Sequence, residues 1–191
     1  MKKAASAKRA PMTCSLPSVT TSRVTVAANW PAGIVTAVYE TLYDRFGPQG
    51  WWPVTADDET EARYSGGPAC DGQRFEVAAG AVLTQNTSWA NASRAVSNLV
   101  RRGALDPESI LSMDAKALAE LIRPSGYYNR KAVILKQLAG CFPPRAEITR
   151  ESLLAVSGIG PETADSIMLY AFGKPFFVVD AYTMRVFSRV D

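Results

Sequence analysis

Residues 153–180, LLAVSGIGPETADSIMLYAFGKPFFVVD, decide how this chain folds. The pattern predicts a short helix, a tight Gly-Ile-Gly turn, a second helix, a connector, and a carboxylate opening a third helix. Gly158 and Gly160 tolerate positive φ and keep the turn's amides free of side chains. Pro161 suits the first helical position, where a missing N–H costs nothing. Ala164, Ile167, Met168, Ala171 and Phe172 recur at helical spacing, and Gly173 supplies a stop. Amides exposed at a helix N-terminus make an anion site, which a DNA phosphate would suit. An ordinary αα-hairpin with a glycine turn has the same outline, so the turn alone assigns no function.

Asp180 closes the stretch. It follows the apolar run Phe176-Phe177-Val178-Val179, which would hold its backbone in a dry wall, and precedes a helical pattern from Ala181 to Phe187. An aspartate there is also an ordinary N-cap. The two roles are compatible, because a capping carboxylate is fixed and kept ionised by nearby amides.

Outward from the hairpin the chain reads as helix almost throughout. Residues 75–84 are apolar on nearly every side and predict a buried central helix. Residues 89–102 are amphipathic and end at Gly103. Asp106-Pro107 and Asp114 open two short helices, and residues 127–138 form another, stopped at Gly140. Ile34, Val38, Leu42 and Phe46 share a face of a helix over 34–46 that stops at Gly47-Pro48. Residues 54–73 are acidic, then rich in Gly and Pro, and predict a surface loop; Pro143-Pro144 is a linker. With no alternating strand pattern and no internal repeat, the expected class is all-α.

Composition bounds the function. At 191 residues and 47% hydrophobic the chain can bury one sizeable core or two small lobes around a cleft. No run is long enough to cross a bilayer. There is no histidine, which removes His-activated nucleophiles and His-ligated metal. Cys14, Cys70 and Cys141 are widely spaced, so neither a metal knuckle nor a disulfide framework is expected. A reducing, cytoplasmic location is the default expectation, nucleoid-associated in a bacterium. Residues 1–29 read as a mobile basic tail. Residues 1–39 carry +5 of the net +3, leaving −2 for the rest, so bulk charge is no argument for DNA binding.

GIGPETAD…FFVVDAYT resembles the hairpin and following aspartate of the helix-hairpin-helix DNA glycosylases, the endonuclease III superfamily. Gly50-Trp51-Trp52-Pro53, FEVAAGAVLTQNTSW (75–89) and RPSGYYNRKA (123–132) are similar to its 3-methyladenine branch, in the family's order. The resemblance implies two helical lobes around a cleft within residues 30–191, with a helical core over about 74–180 and the hairpin at 152–172. It also implies a monomer acting on double-stranded DNA that carries a damaged base. Asp180 matches the family's catalytic aspartate. A fixed carboxylate stabilises the positive charge that builds on the sugar as an N-glycosidic bond breaks.

Further roles follow from the same resemblance. Trp51, Trp52 and Trp89 match a base pocket, with Pro53 shaping its wall and Glu162 adding a contact. Adjacent tryptophans before a proline would equally suit a packed joint between lobes. Gln85 matches the residue that wedges into the duplex. Gly158, Ile159, Gly160 and Thr163 belong to the DNA-binding hairpin, with Arg130 and Lys131 as phosphate contacts or a solvated face. Glu162 stands where family members that also cut the backbone carry a lysine, so base release without strand cleavage is implied.

Two departures stand out. Many superfamily members carry a four-cysteine iron–sulfur loop beyond the aspartate, which these residues do not supply, so no cofactor is expected. The sequence stops eleven residues after Asp180, where the family continues, so the C-terminal part of the second lobe is expected to be missing. Two other readings stay open: an endonuclease III-like lyase for oxidised bases, which Glu162 opposes, and a non-catalytic hairpin module, which Asp180 opposes.

Overall fold

A computed structural model describes residues 31–142 and 147–190. The basic tail, Cys14 and the Pro143-Pro144 linker lie outside the described residues. Those residues form helices α1 (Ala32–Phe46), α2 (Asp71–Thr84), α3 (Trp89–Arg102), α4 (Pro107–Ser112), α5 (Ala115–Leu121) and, after a 3-10 turn at Arg123–Ser125, α6 (Tyr128–Cys141). The hairpin follows as α7 (Arg150–Leu154) and α8 (Pro161–Phe172), and then α9 (Ala181–Phe187). Among the described residues strand pairing is limited to one isolated bridge, Val54 with Arg63, so the class is all-α. No helix there is long and apolar enough to cross a membrane.

The core is built on α2. Phe75 through Leu83 are buried without a break, and α2 packs against α3, α6 and α8. Around it, Leu99, Ile110, Leu118, Leu135, Leu138, Leu153 and Ile167 are fully buried. Each such side chain contributes about 1.5–3 kcal/mol, which outweighs the weak propensities of the short helices.

Local signals set most ends. The Ser88 hydroxyl accepts from the Asn91 N–H, and Gly103 closes α3 in the left-handed region at φ 66°. Asp106 accepts from Ser109 N–H with Pro107 behind it, and Asp114 accepts from Lys116 and Ala117. Thr149 and Ser152 form a reciprocal capping box on α7. Each cap is worth about 1 kcal/mol.

Three expectations need correction. α2 begins at Asp71, inside the stretch expected to be loop, because Gln73 Oε1 reaches back to accept the Ala69 N–H at 2.8 Å. α6 runs through Gly140 to Cys141. Leu138, Ala139 and Phe142 are buried there, with Phe142 edge-on to Phe75 at 5.0 Å, and this packing offsets the roughly 1 kcal/mol cost of a helical glycine. α7 starts at Arg150, whose guanidinium pairs with Asp165 of α8 at 2.5 Å and locks the hairpin's two helices together. On α1, Ile34 and Val38 are half-buried while Leu42 and Phe46 are exposed.

Candidate functional site

The hairpin turn needs its first glycine twice over. Gly158 has φ 102°, and a Cβ there would stand 2.5 Å from Ile134 Cδ1. Gly160 has φ −93°, so positive φ is required at one glycine rather than at both. No side chain caps α8, which leaves the amides of its first turn uncovered. They border an open groove of ≈ 670 Å³ lined by Gln85, Asn86, Tyr127, Arg130, Gly158 and Gly160 among others. Asn86 and Tyr127 both hold left-handed backbone, at φ 53° and 46°. For a bulky residue such as Tyr127 that conformation costs about 1–2 kcal/mol, and its ring is left 71% exposed at the groove.

Beside the groove, and sharing Gln85, Asn86, Glu162 and Thr163 with it, lies a second cavity of ≈ 400 Å³. One wall is Trp51 and Trp52, ring centroids 4.9 Å apart. Adjoining it, with the Tyr170 ring 5.8 Å from that of Trp52, is a stripe of α8, Glu162, Ser166 and Tyr170, at i, i+4, i+8. Thr84 and Gln85 come from the end of α2, and Val178, Asp180 and Tyr182 come from the connector and α9.

Asp180 caps α9, with Oδ1 accepting from Thr183 N–H at 2.6 Å and Thr183 Oγ1 at 2.7 Å. Among the described residues its other oxygen accepts no hydrogen bond. Partial burial and then the charge of Asp180 push the Glu162 carboxyl above its ordinary range. The same two causes raise the Tyr170 hydroxyl, which keeps it a neutral donor. The cavity therefore combines aromatic faces with two carboxylates. Among its described lining residues there is no amine.

Residues 79–191 match the family model of the HhH-GPD superfamily, base excision DNA repair proteins. The chain belongs to that superfamily. A Methanocaldococcus jannaschii protein provisionally named a DNA repair glycosylase is 43% identical over 166 residues, 80% of this chain and 68% of that protein. Endonuclease III of Sulfolobus acidocaldarius is 32% identical over 124 residues, 61% of this chain and 56% of that enzyme. Among solved structures, H. pylori 3-methyladenine DNA glycosylase bound to 1,N6-ethenoadenine is 30% identical, with a TM-score of 0.61 over 82% of this chain and 71% of that one. An endonuclease III–DNA complex at 19% identity shares the fold, TM-score 0.63.

Against this superfamily frame, several expected site residues sit elsewhere. Lys131 borders the groove but is 2% exposed, and its Nζ is committed to the carbonyls of Leu83 and Ser125, each at 2.8 Å. Burial lowers its pKa to about 8. Arg130, one residue earlier, is exposed on the groove. Trp89 does not line the cavity but backs it, its ring 5.5 Å from both Trp51 and Trp52. Pro53 is buried behind the wall. Gln85 Nε2 donates to Gly158 O and Thr163 Oγ1, both at 3.0 Å, so its side chain is tied to the hairpin between the two hollows. Ile159 is buried beneath the turn.

Ser166, Tyr170 and Tyr182 line the cavity without having been singled out from the sequence. The signal for the first two was available, since both stand in helical register with Glu162. Among the described residues no group of His, Cys, Asp or Glu could hold a metal ion.

Proposed function

We propose that this protein is a DNA glycosylase that hydrolyses the N-glycosidic bond of an alkylated, cationic purine such as 3-methyladenine, without cutting the strand. One observation carries the reading: a cavity of ≈ 400 Å³ walled by tryptophan and tyrosine, with Asp180 and Glu162 in its lining and no amine among its described lining residues. Stacking a cationic base on such rings gains about 0.5–2 kcal/mol, most where water is excluded. A neutral base gains less, and Glu162 adds a charge term of the same sign. Asp180, with one oxygen committed to Thr183, keeps the other for the positive charge developing on the sugar. A damaged base is also the cheapest to extrude from the stack. The likeness to the H. pylori 3-methyladenine enzyme supports this reading. In the groove, the uncapped amides of α8 and Arg130 suit phosphate, and the exposed Tyr127 ring suits a base face.

The second reading, a glycosylase with lyase activity, has one specific observation in its favour. Lys131 carries an amine with a pKa of about 8, in the range of a Schiff-base nucleophile. That amine is held by two carbonyls and lies on the groove rather than in the cavity. Borohydride added during base release separates the two: we expect free base by mass spectrometry and no trapped protein–DNA adduct. An adduct lost on Lys131→Met would establish the lyase reading.

A further inference from the structure

The geometry points to Glu76 as a positioning residue that sets the tryptophan wall of the cavity in register on α2, with Gln73 and Gly80 completing the mount. The inference rests on taking that cavity as the base site. Positions 73, 76 and 80 share one face of α2, and all three touch the segment that carries the wall. Thr55 gives its N–H to both Glu76 oxygens, at 3.0 and 3.1 Å, and its hydroxyl to Oε1 at 2.6 Å. Gln73 Nε2 donates to Thr55 O at 3.1 Å. One turn further along, a Cβ on Gly80 would stand 3.1 Å from Trp52 Nε1, so the indole rests directly against the helix backbone.

Glu76 is 4% exposed and bonds only to Thr55 among the described residues. Burying a carboxylate is costly, and holding a single helix end would not require it. An ionised carboxylate, which only accepts, meets both donors of Thr55 at once and sets no N–H of its own against them. Thr55 lies three residues beyond Trp52, so fixing it at Glu76 while Gly80 receives the indole fixes the wall at both ends. The far end of α2 supplies Thr84 and Gln85 to the same cavity, so wall and floor are registered on one helix. Asp180 reaches the cavity from a different element, as the N-cap of α9. Disturbing the mount should therefore change how the base is held and leave the bond-breaking step alone.

The test uses the whole chain, labelled with fluorotryptophan, as Glu76→Gln and Thr55→Val variants. An amide offers one acceptor and sets an NH2 against the Thr55 N–H. We expect the Trp51 and Trp52 resonances to shift and broaden. The half-saturating concentration of methylated duplex should rise roughly tenfold while the limiting single-turnover rate stays within about twofold. Thr55→Val keeps the backbone bond and removes only the hydroxyl, so it should move both readouts in the same direction by less, and it carries the test should Glu76→Gln not fold. Unchanged tryptophan resonances in the folded variants, or a fall in limiting rate at unchanged half-saturation, would overturn the inference. Should the wild-type chain release no base, the base-site reading fails, and the resonances still decide the mount.

Discussion

The two hollows that meet at Gln85, Asn86, Glu162 and Thr163 are built from opposite chemistry. The cavity is walled by Trp51, Trp52, Tyr170 and Tyr182 and holds both carboxylates. The groove is bordered by glycine amides, by Arg130 and by an exposed tyrosine. One suits a flat cation and the other an anion with an aromatic neighbour. Gln85, bonded to Gly158 O and Thr163 Oγ1, stands between them, and Glu162 lines both. On the proposed function, Asp180 serves only the cavity and Arg130 only the groove, so single substitutions there should separate base release from grip on the backbone.

The largest separation should come from Asp180→Asn. The amide keeps an oxygen for the Thr183 N–H but removes the charge facing the sugar. Base release should fall about a thousandfold while affinity for an abasic duplex holds, measured by single-turnover release beside a binding titration. An Asn variant that excises at the wild-type rate would sink the proposed role of the cavity. Arg130→Ala should do the converse on a smaller scale. Binding should weaken several-fold on damaged and undamaged duplex alike, and the slope of log affinity against log salt should drop by about one.

The smallest effect, and the one that reads the cavity's charge directly, concerns Glu162. Burial and the nearby Asp180 raise its carboxyl above the ordinary range. As pH rises through that value the carboxyl ionises and the cavity gains a negative charge. Preference for a cationic over a neutral base should therefore climb with pH and then level off, by a few-fold in all. Glu162→Gln should flatten the profile. A slope that persists in the Gln variant would assign the titration to another group.

What the sequence disclosed followed from local signals. Ser88 and Gly103 bound α3, the stretch expected to be helical, and Asp106, Asp114 and Gly173 mark ends in the same way. These work because a cap or a left-handed glycine acts within one turn. Failures came where a distant partner decided. Gly140 reads as a stop, yet Phe142 needs the helix to continue so that it can reach Phe75. Arg130 and Lys131 read as one basic pair and both border the groove, but successive helical residues point about 100° apart, so Arg130 is exposed while the Lys131 amine is buried among carbonyls. Trp89 and the Trp51-Trp52 pair were expected as equals, though only the pair lines the cavity. Nothing in residue type distinguishes a ring that lines from a ring that backs. Glu76 reads as one charge in an apolar helix, and only the fold shows that Thr55 is what it holds.

On the proposed function, the rings and carboxylates of the cavity select a cationic purine. The measurement that tests it most directly sets a methylated duplex beside a duplex carrying an oxidised pyrimidine, at equal protein concentration, with released bases identified by mass spectrometry. The expected products are 3-methyladenine from the first and nothing above background from the second. Excision of the oxidised pyrimidine, with the methylated duplex left intact, would contradict it.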